Sequence, residues 1–265
     1  MSQTYSDVDG SADSAEAVAW QERMSRWPAV SAYKERTHEL LDGADPVLDV
    51  GCGPGVDVAA LGVDRCVGVD ASRAMADAAA RRGAVTCRAD AHRLGFRDGA
   101  FAGVRADRVL QHLAAPESAL REMARVVAVG GRVVIADPDQ ETLVIRVPGV
   151  RRSVLDRLKA LRRDVGYRNG TLVSRVPELL ERLGMKHVTV DAFPLTIRDP
   201  GEAFGLPSWP AAWRQRGGFS DDEIGEWDQA MRTGSSGGFL YLVTFLVVAG
   251  TKVRPAPGGL LPGET

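Results

Sequence analysis

Cysteine is scarce in this 265-residue chain, and what little there is follows no pattern. Cys52, Cys66 and Cys87 are odd in number, lack CxxC spacing and have no histidines at zinc-finger intervals, which argues against a disulfide framework or a structural metal. All three read as small, buried apolar residues. There is no excess charge of one sign either. A formal net charge of −2 gives no footprint for a polyanion, so a small molecule is the expected partner and nucleic acid is not. The densest basic stretch, 151–163, is interrupted by Asp156 and followed by Asp164, and it carries Val154, Leu155, Leu158 and Leu161 at helical spacing. It reads as the solvated face of an amphipathic helix. No apolar run approaches the roughly 20 residues of a membrane span. Residues 1–10 are polar and acidic, without the stretches that make a signal peptide, so a cytoplasmic protein with no membrane partner is expected. No internal repeat is visible.

What the chain does have is a 45% hydrophobic composition, enough for a full core, arranged in short apolar runs that alternate with helical stretches. Residues 15–45 carry two helices broken at Pro28. From Pro46 the runs 47–50, 66–69, 84–88, 102–106 and 132–136 read as strands, separated by helices near 56–61, 73–82 and 116–127. This alternation predicts a doubly wound, mostly parallel sheet. Helical segments at 150–164 and 175–183 follow, then a sixth strand at 187–197 and a last one at 239–249. Residues 199–238 are rich in Gly, Pro and Trp. They contain one helix at 220–232, with Ser220 and Glu223 placed as a capping box, and read as a cap or lid insertion. Residues 1–14 and 254–265 read as flexible ends.

The most informative segment is Val47-Leu-Asp-Val-Gly-Cys-Gly-Pro-Gly55, a strand running into a loop with Gly51, Gly53 and Gly55. Such glycines let backbone approach a ligand closely. About 20 residues further on, the second strand ends in Asp70, where doubly wound folds place an acid against ribose hydroxyls. An adenosine-containing ligand is implied. The dinucleotide fingerprint GxGxxG is not met: the spacing is GxGxG, Val56 stands where the third glycine belongs, and Pro54 removes an N–H that would face a phosphate.

Together with Asp49 at the end of the first strand, this loop resembles that of the class I S-adenosylmethionine-dependent methyltransferases, above all the small-molecule branch containing the ubiquinone and menaquinone biosynthesis enzymes. The similarity covers roughly 33–138. It implies a Rossmann-like seven-stranded α/β core made of 46–198 and 239–253, with S-adenosyl-L-methionine as cofactor. It also implies that Asp49, Gly51, Cys52 and Gly53 underlie the methionine part, that Asp70 meets the ribose, and that Ala71, Ser72 and Met75 border the adenine. Asp90 and Ala91 match the segment that meets the adenine edge, the alternatives being a helix cap for Asp90 and ordinary helix packing for Met75. Asp107 and Arg108 match the end of the fourth strand, facing the cofactor's amino and carboxylate groups or a substrate, and Gln111 could do either. Tyr33 matches a position from which the leading helices close over the cofactor.

Methyl transfer needs alignment in a desolvated channel more than it needs a strong base. Where a base is used, His112 is the candidate, the alternative being a cap or packing role. Asp137, Asp139 and Glu141 form an acidic cluster without a recognisable metal pattern, and no metal is expected. All five tryptophans fall in the leading helices and the 199–238 segment, which points to an apolar acceptor or to packing of that segment on the core. The chain reads Asp-Arg-Val-Leu at 107–110 and lacks the Pro-rich aromatic motif of amide-base methyltransferases. The expected function is methylation of a small molecule in secondary-metabolite biosynthesis. The rivals are a cofactor-binding but non-methylating cyclase or isomerase of the same fold and a non-catalytic regulatory module.

Overall fold

In the computed structural model, which describes residues 9, 14–233 and 237–254, seven strands form one sheet in the order β3-β2-β1-β4-β5-β7-β6. Strand β1 (Val47–Val50) is buried at all four positions, as a strand covered on both faces must be. It pairs in parallel with β2 (Cys66–Asp70) on one side and β4 (Phe101–Asp107) on the other, while β3 (Val85–Arg88) adds in parallel to β2. The parallel crossovers run through α3 (Val56–Leu61), α4 (Arg73–Ala80) and α5 (Pro116–Val126). In α5, Pro116 sits in the first turn and Ala119, Leu120, Met123, Ala124 and Val126 form the buried stripe. The long β5 (Val127–Arg146) pairs with β4 in parallel and with β7 (Leu240–Lys252) antiparallel, and β7 in turn holds the outer β6 (Met185–Ile197).

Because side chains alternate across a strand, the core divides between the two faces of the sheet. Leu48, Val104, Ala106, Val133 and Ile135 pack under α5 and α7 (Val176–Arg182). Val134, Ala136, Tyr241, Val243 and Phe245 pack on the other face, under α2 (Pro28–Glu39), α6 (Arg152–Asp164) and the segment between β6 and β7. That segment holds α8 (Trp209–Ala212), α9 (Arg214–Gly217) and α10 (Asp221–Thr233), more helical turns than the single helix expected. Its capping box forms: the Ser220 amide donates to the Glu223 carboxylate at 3.1 Å, and the Glu223 amide donates to Ser220 Oγ at 3.2 Å. Trp227 is fully buried and donates to the Pro207 carbonyl at 2.9 Å, so it packs the segment rather than facing a ligand.

Cys87 departs from the sequence expectation. Cys52 and Cys66 are buried, but Cys87 is exposed because β3 is the edge strand and its outer residues have no covering layer. The expected flexible ends lie, apart from Asp9, Ser14 and Arg254, outside the described residues. Among the described residues no helix is long and apolar enough to cross a membrane.

Candidate functional site

The strand order reverses between β2 and β4 on either side of β1, so the loops leaving β1 and β4 part and open a crevice at their C-terminal ends. A cavity of about 460 Å³ lies there. One end is walled by the glycine loop, Asp70 and Asp90, and the other by Tyr167, Phe204, Trp209 and Tyr241. Helix α1 (Ser14–Met24) lines one side through Trp20, Gln21 and Met24. Trp20, Trp27, Phe204 and Tyr241 make successive ring contacts at 5.6–5.9 Å, joining this N-terminal part to the segment after β6.

Two loop glycines do different work. Gly55 has φ +76, and a Cβ there would sit 2.6 Å from Ala79 Cβ, so it lets α3 start hard against α4. Gly53 has φ +52, but a Cβ there would meet nothing within 4 Å, and it stands on the cavity wall. The Gly53 amide donates to Asp70 Oδ2 at 2.9 Å and the Ser72 amide to Oδ1 at 2.8 Å. Burial raises the Asp70 carboxyl above its ordinary range, and these two N–H donors oppose the rise. Gly55→Ala is expected to lower stability by about 1–2 kcal/mol for the left-handed backbone alone, plus the Ala79 collision, read as a lower thermal midpoint. An unchanged midpoint would show that the two helices adjust freely.

The sequence-predicted residues do not all reach the cavity. Gly51, Cys52, Gly53, Asp70, Ala71, Met75, Asp90, Ala91, Asp107, Arg108 and His112 line it, whereas Tyr33, Asp49 and Ser72 stand behind its wall. Ser72 caps α4, accepting from the Met75 amide, and donates to Asp9, whose carboxylate also takes the Arg73 and Ala74 amides. Tyr33 is buried against Phe245 at 4.4 Å and touches the site only by donating to Asp107 Oδ2 at 3.4 Å. Asp49 pairs with Arg105 Nη1 at 2.9 Å. Asp90 is steadied by His92, which sequence reasoning left without a role: the His92 amide and Nδ1 both bond to its Oδ1, and His92 Nε2 accepts from the Ala115 amide at 3.3 Å.

A charge cluster that the sequence did not reveal lies in the cavity wall, where Lys34, Asp57, Arg105 and Asp107 contribute to the lining. Arg105, 1% exposed, reaches Asp49, Asp57 and Asp107 and also donates to Thr37 Oγ1 at 2.8 Å. Lys34 pairs with Asp57 and, at 3.1 Å, with Asp107. Burial raises Asp49 to about 6, against the pull of Arg105. Burial also acts on Asp57 and Asp107, but there the cations win: Arg105 and Lys34 hold Asp57 well below the usual range, and Lys34, Arg108 and Arg105 lower Asp107. Asp107 Oδ2 is saturated by these partners, while Oδ1 is buried without a hydrogen bond among the described residues. Arg108 follows with φ +57, its guanidinium turned to Gln21 on α1 at 2.8 Å. Asp137 is pushed well above its ordinary range by burial and by Asp107. Among the described residues no cluster of His, Cys, Asp or Glu forms a metal site.

His112 sits in a single 3₁₀ turn (Leu110–His112), its ring 5.4 Å from that of Tyr167. Burial, then the charges of Arg108 and Arg162, lower it from 6.5 to about 3, so the imidazole is neutral across the physiological range. A lowered folded value means that the unfolded chain binds more protons between the two values. Stability is therefore complete above about 6.5 and falls with pH below it. His112→Gln is expected to remove about 1–2 kcal/mol of the loss between pH 6.5 and about 5, less than full linkage because the ring faces the cavity. Urea unfolding at both pH values checks this, and parallel curves for the two proteins would contradict it.

The sheet order, with β7 antiparallel between β5 and β6, and the glycine loop facing an acid at the end of β2 define the class I methyltransferase fold. Residues 48–135 match the family described as "Methyltransferase domain". Over 200 residues the chain is 32% identical to an uncharacterized 37.1 kDa protein in transposon TN4556 of Streptomyces fradiae, covering 69% of this chain and 56% of that protein. Over 109 residues it is 37% identical to the demethylmenaquinone methyltransferase of Mycolicibacterium vanbaalenii, covering 40% and 48%. The chain thus spans about half the length of the curated relatives it matches. The solved YcgJ protein of Bacillus subtilis shares the fold at a TM-score of 0.56 and 19% identity, covering 83% of this chain and 98% of that one.

Proposed function

We propose that the protein transfers a methyl group from S-adenosyl-L-methionine to a small-molecule acceptor, in secondary-metabolite biosynthesis. The observation that carries this reading is one cavity with an adenosine-type cradle at one end and an aromatic chamber at the other. The resemblance of 33–138 to the small-molecule branch supports the acceptor class. When bound, the cofactor supplies a methyl group activated on a sulfonium, which an acceptor nucleophile displaces.

The residues present fit that group. The space beside Gly53, where a Cβ would stand, admits its methionine part. Asp70 is positioned to accept from the ribose hydroxyls, with Met75 and Ala91 bordering the base and Asp90 at its edge. The Oδ1 of Asp107, without a hydrogen bond among the described residues and 3.5 Å from Arg108 Nε, offers an acceptor for the ammonium, and Gly51, Cys52, Ala71 and Arg108 complete the wall. Tyr33, Asp49 and Ser72 serve one step back, by fixing Asp107, Arg105 and α4. Residues 199–238 act as the cap and 15–45 as the opposite wall, excluding water from the acceptor. His112, neutral and facing the cavity, accepts the acceptor's hydrogen bond rather than storing its proton, since a base of such low affinity gives up a proton readily.

Gly53→Ala, whose Cβ would meet open space on a lining residue but whose left-handed backbone costs about 1–2 kcal/mol, is expected to remain folded and to bind S-adenosylhomocysteine less tightly. Unchanged affinity would reject the cradle. The reading as a whole is tested with methyl-labelled cofactor and a small-molecule extract. Label moving into an extract component supports it, with His112→Ala slowing turnover more than it weakens cofactor binding. Conversion of an extract component with the cofactor left intact would favour a cyclase or isomerase instead.

A further inference from the structure

Arg162 was expected on a solvated helix face, and the structure reverses that. It lies two helical turns beyond Val154 and one beyond Leu158, on the same stripe of α6, and this stripe turns inward. Arg162 is 7% exposed and lines the aromatic end of the cavity. Its guanidinium carbon is 4.2 Å from the ring centre of Tyr167 and 4.5 Å from that of Trp209, and it donates to the Tyr167 hydroxyl. Its neighbour Arg163 takes Asp164 and Glu141, yet no carboxylate among the described residues lies within ion-pair distance of Arg162, and its Nε has no acceptor among them.

A buried guanidinium without a counter-ion is costly, and proteins rarely keep one unless a ligand completes it. Arg108 lies on the same cavity, and the two cations together act on His112, so the field at this end is positive. Gln111 and Gln140 line the same cavity, and their Oε1 atoms are buried without donors among the described residues. A ligand that satisfies the chamber therefore brings an anion for Arg162 and an O–H or N–H for the carboxamides.

We infer that the methyl acceptor is a planar, aromatic carboxylate bearing a hydroxyl or amino group, with its carboxylate held by Arg162. This inference rests on the methyltransferase reading of the same cavity. The Tyr167 and Tyr241 hydroxyls take part of the guanidinium's N–H edge, but neither carries a charge to balance it, and the planar fork that remains suits a flat carboxylate better than a tetrahedral phosphate. The neighbouring rings of Trp209 and Tyr241 suit an aromatic body.

The test is calorimetric titration of 4-hydroxybenzoate, 4-hydroxybenzamide and phenyl phosphate into the full chain saturated with S-adenosylhomocysteine. The carboxylate is expected to bind the wild type at least about tenfold more tightly than the amide or the phosphate ester. That preference should vanish in Arg162→Gln and shrink in Arg162→Lys, with affinity for S-adenosylhomocysteine unchanged in both. The acid-against-amide comparison in the wild type holds even if a variant misfolds. Equal binding of acid and amide, no binding of the acid, tighter binding of the phosphate ester, a preference that survives in Arg162→Gln, or a tenfold loss of S-adenosylhomocysteine affinity in that variant would each overturn the inference. Failure of S-adenosylhomocysteine to bind the wild type would instead refute the methyltransferase reading.

Discussion

Replacing Arg105 by methionine is expected to lower the unfolding free energy at neutral pH by about 3–5 kcal/mol, seen as a fall in thermal midpoint on the order of 10 °C. The side chain is buried in the middle of β4 and its three nitrogens satisfy Asp49, Asp57, Asp107 and Thr37. Without it, three carboxylates from β1, α3 and β4 are left with Lys34, His38 and, at 3.5 Å from Asp107, Arg108. The penalty comes from charge left without a partner, not from the strength of any one pair. It should therefore ease in acid. Losing Arg105 raises the folded values of all three carboxyls. A group whose folded value is raised contributes stability below its unfolded value and loses it as pH climbs through the folded one. The deficit of the variant should be largest above about pH 6, where Asp49 ionises, and smaller near pH 5. Chemical denaturation of both proteins at the two pH values checks this. A variant as stable as the wild type at neutral pH would mean that the cluster is not what seats β4 against β1.

Asp70→Ala is expected to weaken S-adenosylhomocysteine binding about 10- to 100-fold, because hydrogen bonds to a charged acceptor are worth about 1.5–3 kcal/mol. The carboxylate also bridges the Gly53 and Ser72 amides, so its loss slackens this loop as well as removing the proposed ribose partner. Asp70→Glu separates the two effects: it restores a carboxylate but displaces it, and should recover part of the affinity. Circular dichroism confirms the fold of each variant. A folded Asp70→Ala protein with wild-type affinity would remove Asp70 from the site.

Much of this fold was legible because periodicity survives translation into structure. The runs at 47–50, 66–69 and 102–106 became β1, β2 and β4 with their boundaries nearly intact, and the capping box at Ser220 formed as spelled. The loop of Gly51, Gly53 and Gly55 and the acid at Asp70 were readable for the same reason: both lie within one βαβ unit, so local spacing fixes their encounter. What stayed hidden depends on which strands and helices become neighbours. Arg105 in an apolar run was a signal, but its partners come from other parts of the chain, and the register that sets Asp49 beside it appears only once β1 pairs with β4. Cys87 could be placed only by learning that β3 is an edge. Arg162 was misread because a charged side chain on a helix is usually solvated, and residue type outweighed its position on the apolar stripe.

If the cavity between the glycine loop and the segment after β6 holds S-adenosyl-L-methionine, calorimetric titration of the purified protein with S-adenosylhomocysteine, and with NADH in parallel, will tell the two cofactor classes apart. Micromolar binding of S-adenosylhomocysteine and none of NADH is the predicted result. No binding of S-adenosylhomocysteine, or binding of NADH in its place, would contradict it.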